Sequence, residues 1–416
     1  MELSEKLTIL SDAAKYDASC ASSGAQRRRP VNGLGDARRV GVCHSFAPDG
    51  RCISLLKLLF TNYCIYDCQY CINRVSSPVR RAAFTVDEIL TLTVEFYKRN
   101  FIEGLFLSSG VMVGPDHTME KMVEAARRLR LEHRFGGYIH LKVVPGASPE
   151  LVREAGRWAD RLSANIELSS QEELDRLAPG KTHQNIESSM SQIQRVIGPR
   201  QDQDRGKRPQ GVLVSGQSTQ LIVGATPAPD RLILEKADRL YKRFALNRVY
   251  YSAYSPIPHE SGDLPSARVP LMREHRLYQA DWLMRFYGFR VEELVSQQHQ
   301  NLSLRQDPKM SWALAHPEFF PVDVNAAPRE MLWRVPGIGV RNAMRIAGIR
   351  RYHPLRLGDL KKLRVAVKRA RDFIITADSM PMRCPSRLVE PDRPRKTGET
   401  QLELFEAPVS AVTGEF

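Results

Sequence analysis

The chain has 416 residues, 42% of them apolar and 26% charged, which is the make-up of an ordinary globular protein and more chain than one domain uses. No run approaches the roughly 18 apolar residues of a membrane span, and Met1-Glu2-Leu3-Ser4-Glu5-Lys6 lacks the charged-then-apolar build of a signal peptide, so a cytoplasmic protein is expected. A formal charge of +14 points to a polyanionic partner while saying nothing of fold.

In chain order, residues 1–50 form a basic, irregular lead-in whose run Gln26-Arg27-Arg28-Arg29-Pro30 either touches phosphate or stays solvated. From residue 52 on, apolar runs at 54–61, 104–109, 138–144, 162–168, 219–224 and 249–254 alternate with segments long enough for a helix each. Such alternation predicts an α/β fold, a parallel sheet with crossover helices. Thr85-x-x-Glu88 is a capping box that opens the first helix. Six strands suit an open, partial (β/α) barrel, whose active site lies at the C-terminal strand ends.

Directly after the first strand comes Asn62-Tyr63-Cys64-Ile65-Tyr66-Asp67-Cys68-Gln69-Tyr70-Cys71. Its three thiols can hold three irons of a [4Fe-4S] cube, leaving the fourth open for chemistry. Zinc is the alternative, but it asks for four ligands, and the first histidine downstream is His117. The other cysteines, Cys20, Cys43, Cys52 and Cys384, are scattered and do not form a disulfide framework. Cys43 and Cys52 are either thiol hydrogen donors or small buried residues.

The Cys-x3-Cys-x2-Cys spacing, with Tyr70 before the last cysteine, resembles the radical S-adenosylmethionine (radical SAM) superfamily. The resemblance implies that Cys64, Cys68 and Cys71 bind the cluster and that the amino and carboxylate groups of SAM chelate the open iron. It implies, too, that an electron from a donor such as a flavodoxin or ferredoxin splits SAM, and that the 5′-deoxyadenosyl radical takes a hydrogen from the substrate. By position it places Tyr70, Ser108, Ser109, Gly110, Lys142, Asn165 and Glu167 at the cofactor, with Ser215 and Gln220 near the fifth strand. Ser108-Ser109-Gly110 departs from the Gly-Gly-Glu-like turn of many members. A carboxylate such as Glu167 can accept from both ribose hydroxyls.

The stretch 197–209 is rich in glycine, proline and charge and reads as a mobile loop, and 271–289 as a long helix with a packing aromatic face. In the C-terminal third, Met331-Leu332-Trp333-Arg334-Val335-Pro336-Gly337-Ile338-Gly339-Val340-Arg341-Asn342-Ala343 resembles a helix-hairpin-helix DNA-binding element. Glycines let a turn expose backbone N–H groups beside a helix start, which suits phosphate. Pro336, Gly337, Ile338, Gly339, Arg341 and Arg345 are the candidate DNA contacts, with Arg350 and Arg351 beyond. Residues 357–365 resemble a degenerate second copy that supports the first, with a basic helix behind it. From about residue 379 the composition predicts a disordered tail. Its Gln401, Leu402, Leu404 and Phe405 are similar to the peptide by which bacterial repair and replication proteins dock on the sliding clamp.

The expected organisation is a lead-in (1–50), a barrel (51–300), a small all-α helix-hairpin-helix domain (301–378) and a tail (379–416). Over residues 40–380 the chain resembles radical SAM proteins of DNA modification or repair. This implies radical chemistry on a nucleotide in DNA. Modification of RNA, or a DNA-binding protein with a structural or redox-sensing cluster, are the other readings.

Overall fold

A computed structural model describes residues 1–14, 42–46, 52–198, 214, 216–258 and 262–381. The arginine run 27–29, Cys20, Cys384, Ser215, most of 197–209 and the clamp-like 401–405 lie outside these residues. The chain divides into two compact units, Met1–Ala228 with Arg239–Pro270, and Pro229–Asp238 with Leu271–Phe416.

The first unit is built on a seven-stranded sheet in the order β1 (Val42–Phe46), β2 (Cys52–Leu59), β3 (Gly104–Ser108), β4 (Tyr138–Lys142), β5 (Arg161–Ser163), β6 (Gln217–Val223) and β7 (Arg248–Ala253). Strands β2 to β7 are parallel and neighbours in sequence order, and curl into a half-barrel. Such an order follows when each crossover is right-handed and packs its helix on the same side. The connections are α2 (Val86–Lys98), α3 (Pro115–Leu131), α4 (Pro149–Trp158), the pair α5 (Gln171–Leu177) and α6 (His183–Ile197), and α7 (Asp230–Phe244), after α1 (Leu3–Ala14) at the start. Strand β1, antiparallel to β2, adds an edge that no apolar run announced.

Register decides which side chains face the helices. Leu58, Leu107, Leu141, Leu162 and Gln217 stand in one cross-strand row. The Gln217 amide donates to the Met190 and Phe244 carbonyls of α6 and α7, so this row faces the helices. Because strand side chains alternate, the row of Lys57, Phe106 and His140, and the next with Ser108, Lys142 and Ser163, face the inside of the half-barrel.

The second unit has α8 (Leu271–Tyr287), α9 (Val291–Leu294), α10 (Pro308–Ala315), α11 (Arg329–Leu332), α12 (Val340–Ile349), α13 (Leu357–Lys362) and α14 (Val367–Ala370). It is mostly helical, but β8 (Val322–Asp323) pairs in parallel with β9 (Ile374–Ile375), an addition to the expected all-α domain. Leu283, Tyr287 and Phe289 share its core with Trp312, Val335 and Ile338. That apolar burial draws α8 into this unit, which therefore starts before the expected residue 301.

The α2 capping box forms as expected: Thr85 accepts from the Glu88 N–H, and the Glu88 carboxylate accepts from the Thr85 N–H. Glu88 also accepts from Lys6 of α1 at 2.9 Å. Thr85→Ala is expected to lower unfolding free energy by about 1 kcal/mol, seen as a lower urea midpoint with unchanged slope.

Candidate active site

The site begins where β2 ends. The Phe60 N–H donates to the Ser108 carbonyl at 2.8 Å, and the Gly110 N–H donates to the Thr61 carbonyl at 2.7 Å. A Cβ on Gly110 would lie 2.3 Å from the Tyr63 carbonyl oxygen, so only glycine lets the cysteine loop pass this close to the end of β3.

Beyond Asn62 the loop has little regular structure and needs outside support. Arg81 supplies it. Its guanidinium donates to the carbonyls of Asn62 and Asn73 through one nitrogen, and of Arg74 and Ser77 through the other. Asn62 precedes the first cysteine and Asn73 follows the last, so one cation closes the segment into a ring. Inside it the Cys71 N–H donates to the Cys68 carbonyl at 2.9 Å. The Asp67 carboxylate accepts from Ser76 Oγ and N–H, and the Ser76 hydroxyl is the main cause holding its pKa below the usual value.

A third wall comes from the turn after α5. The Gln69 N–H donates to the Leu177 carbonyl at 2.7 Å, and a Cβ on Gly180 would meet the Tyr66 ring at 2.6 Å. Lys181 Nζ lies 5.9 Å from the Tyr70 ring centroid and pairs with Glu167 Oε1 at 2.8 Å. Glu167 has a left-handed backbone (φ 67°) where the chain leaves β5, and bonds to Gln220 and Ile222 of β6 hold it there. Burial works against the Lys181 charge, but Cys68, Glu167 and Tyr70 together keep its pKa well above the usual lysine value. Burial pushes the Cys68 thiol up and the Cys71 thiol up to about 12, with Lys181 opposing both.

The structure thus gathers Tyr70 and Glu167 with Cys68 and Cys71. Gly110 packs on loop backbone. Ser109 Oγ turns to the Gly110 carbonyl at 2.6 Å, and Asn165 donates to Gln220 at 3.2 Å. Ser108 and Lys142 stand on the inner face of the half-barrel.

Residues 58–198 match the model of the radical SAM superfamily. This region is a radical SAM domain. No curated protein matches the chain. Among solved structures it is similar to the FeFe-hydrogenase maturase HydG from Carboxydothermus hydrogenoformans (14% identity, 53% of this chain and 48% of that one, TM-score 0.42). It is similar also to methylornithine synthase PylB (13%, 53% and 59%, 0.42) and to coproporphyrinogen III oxidase HemN from Escherichia coli (15%, 55% and 51%, 0.36). The chain spans about half the length of the hydrogenase maturases it matches, and similarities this low carry no argument about the reaction.

The cofactors of a radical SAM domain are a [4Fe-4S] cluster and SAM, and the residues fit both. Cys64, Cys68 and Cys71 are free of disulfides on one braced loop. Among the described residues no three His, Cys, Asp or Glu side chains converge as for a single metal ion, while thiols spread around a loop suit a multi-iron cube. The buried Ser108 Oγ has no hydrogen-bond partner among the described residues, as expected beside a space for a polar ligand. Arg81 and Lys181 were missed by sequence reasoning. Pro179-Gly180 signalled a turn ahead of Lys181, but Arg81 had no signal.

In the second unit Pro336, Gly337, Ile338 and Gly339 are buried and form the turn between α11 and α12, whereas Arg341 and Arg345 are exposed. Gly337 has φ +85°, and a Cβ there would lie 2.6 Å from the Ala366 carbonyl. Arg364, before Val365 and the cap of α14, repeats the left-handed turn with φ 61°. The Ala366 N–H donates to the Gly337 carbonyl at 3.1 Å and Asn342 to the Arg364 carbonyl at 3.2 Å, so each turn braces the other. Arg350 is used internally, donating to the Val324 and Ala327 carbonyls. Buried Lys309 donates to the Ile338 carbonyl at 2.7 Å, another support that sequence reasoning missed. Among the described residues no helix is long and apolar enough to cross a membrane.

Two outcomes follow. Gly110→Ala is expected to push the cysteine loop off β3, so anaerobic reconstitution should give clearly less iron per chain with an unchanged far-ultraviolet spectrum. Because ligation needs thiolates and two thiols are pushed up by burial, cluster loading should rise with pH between 7 and 9, measured as iron and sulfide bound per chain.

Proposed function

We propose that this chain is a radical SAM enzyme that modifies or repairs a nucleotide in DNA, held by a helix-hairpin-helix region in its second unit. When bound, the cluster and SAM supply a carbon radical that takes hydrogen from the substrate. The protein's own part is to hold three thiolates on a loop tied by Arg81 and Gly110. It also places the inner face of the half-barrel beneath that loop.

The single observation that carries the DNA reading is charge on the paired-turn segment of the second unit. Residues 328–373 hold thirteen Lys and Arg against three Asp and Glu. Helix α12 begins at Val340 after Gly339, which has no side chain to cap it, so its first N–H groups are left for an outside acceptor such as phosphate. Arg341 and Arg345 project one turn apart along that helix. Contacts of this kind bind backbone without reading sequence. A base inside a duplex must be extruded or already distorted to reach the barrel, and damage eases that step. Gln401, Leu402, Leu404 and Phe405 are proposed to recruit the protein to the sliding clamp, and a flavodoxin or ferredoxin to supply the electron.

The test is anaerobic turnover. With reduced, cluster-loaded protein and SAM, 5′-deoxyadenosine is expected from wild type and not from Cys68→Ala, with yield raised by DNA. No product from fully loaded protein, with or without DNA, moves the reading to a structural or sensing cluster. Duplex affinity should fall with salt at a log–log slope of roughly −0.9 per neutralised phosphate, and Arg341→Ala with Arg345→Ala should flatten it by about two of these. A tRNA bound more tightly than any DNA would favour RNA as substrate.

A further inference from the structure

The exposed face of α12 has a composition that the fold of the second unit does not require. Arg341, Met344, Arg345, Gly348 and, just past the helix end, Arg351 are exposed and recur every three or four residues, so they form one stripe. A solvated face usually mixes both signs of charge. This one does not: between Glu330 and Asp359 the chain has Arg334, Arg341, Arg345, Arg350, Arg351 and Arg356 and no acidic residue. Gly348 costs the helix about 1 kcal/mol relative to alanine, and a Cβ there would meet nothing within 4 Å among the described residues. Packing therefore gives no reason for the glycine, whereas a partner lying close to the helix backbone does. At the end of the stripe stands Tyr352, 88% exposed, more than any other large apolar side chain among the described residues. Its turn is pinned on both sides. Before it, the Arg350 guanidinium donates to the Val324 and Ala327 carbonyls, and the Tyr352 N–H donates to the Ile349 carbonyl at 2.9 Å. After it, the buried Leu355 donates its N–H to Asn325 Oδ1 at 2.7 Å and accepts from the Asn325 amide at 3.2 Å. A ring held out in this way has little backbone freedom left to lose on binding.

We propose that this stripe is a DNA contact face on which Tyr352 stacks against an unpaired base, so that the second unit prefers DNA with disrupted pairing over intact duplex. The inference rests on the DNA reading and adds which kind of DNA is held. Phosphate is met at the start of α12 and by Arg341 and Arg345. Tyr352 lies roughly 15–18 Å further along, at 1.5 Å per residue, between the exposed Arg351 and Arg356. An aromatic ring gains nothing from a phosphate, but it stacks on any base whose face is free, and arginine beside it adds to the stack. In a paired duplex both faces of each base are covered by its neighbours. The ring therefore finds its partner where a base has already left the stack.

The test is fluorescence anisotropy of the full-length, cluster-loaded protein with two labelled DNAs, a fully paired duplex and the same duplex carrying one extra, unpaired adenine. Wild type is expected to bind the second about ten-fold more tightly, the worth of one stacked base. Tyr352→Ala should bring the two affinities together, whereas Tyr352→Phe, which keeps the ring, should keep the preference. The fluorescent base analogue 2-aminopurine, placed at the unpaired position, should be quenched by wild type and by Tyr352→Phe and not by Tyr352→Ala. Equal affinities for wild type, or a preference and quenching that survive Tyr352→Ala, overturn the stack, while a salt slope flattened by Arg341→Ala with Arg345→Ala would leave the DNA reading standing. No binding of either DNA overturns both. An RNA hairpin with the same unpaired base, bound more tightly than the DNA, overturns DNA as the occupant.

Discussion

The candidate site depends on how a loop with little regular structure is made to keep one shape. Between Asn62 and Asn73 the chain cannot rely on a ladder or a helix, so its carbonyls are gathered by the Arg81 guanidinium instead. Arginine suits the task because its planar fork offers five donors in fixed directions and keeps its charge. Losing it would leave several carbonyls short of partners, at about 1–3 kcal/mol for each that stays buried. Gly110 complements the clasp from the other side. The clasp closes the loop, and the missing Cβ lets it rest on the end of β3.

Everything else at the mouth is placed relative to that ring. The Gly180 turn packs on Tyr66, Lys181 lies over Tyr70, and Glu167 balances Lys181 in a strained left-handed conformation. A buried Glu–Lys pair is poor evidence for stability, since desolvation offsets most of its attraction. Its position beside Cys68 and Cys71 gives it a different meaning, a fixed pair of charges next to two thiols. Below it, the inner face mixes cations and hydroxyls such as Lys57 and Ser108 with apolar side chains such as Leu59 and Phe106. The half-barrel therefore has a chemistry on its inside that its helix-facing leucines do not share.

The second unit solves a similar problem with other means. Two left-handed turns, at Gly337 and at Arg364, brace each other through backbone, and buried Lys309 fixes the Ile338 carbonyl from behind. Burial pushes the Lys309 pKa well below the usual lysine value. Asp307, which faces it, is paired with Arg369. The turn is thus braced from several sides, and among the expected contacts Arg341, Arg345 and Arg351 are exposed.

Much was legible in the sequence because it is written in local spacing. Three thiols four and then three residues apart, apolar runs separated by helix-length segments, and Thr85 three residues before Glu88 are short-range patterns with one physical reading each. The edge strand β1, the membership of α8 and the partners of Asn165 and Glu167 were not, because long-range pairing decides them. Register is the clearest case. Lys57 sits in an apolar run, and nothing in its neighbours says which way it points; a shift of one residue would turn it from the inner face to the helices. The sequence by itself determined that a loop with three closely spaced cysteines follows a strand of an α/β domain. Only the tertiary structure decided what holds that loop, Arg81 and Gly110, and what lies beneath it, because both follow from contacts between residues far apart in the chain.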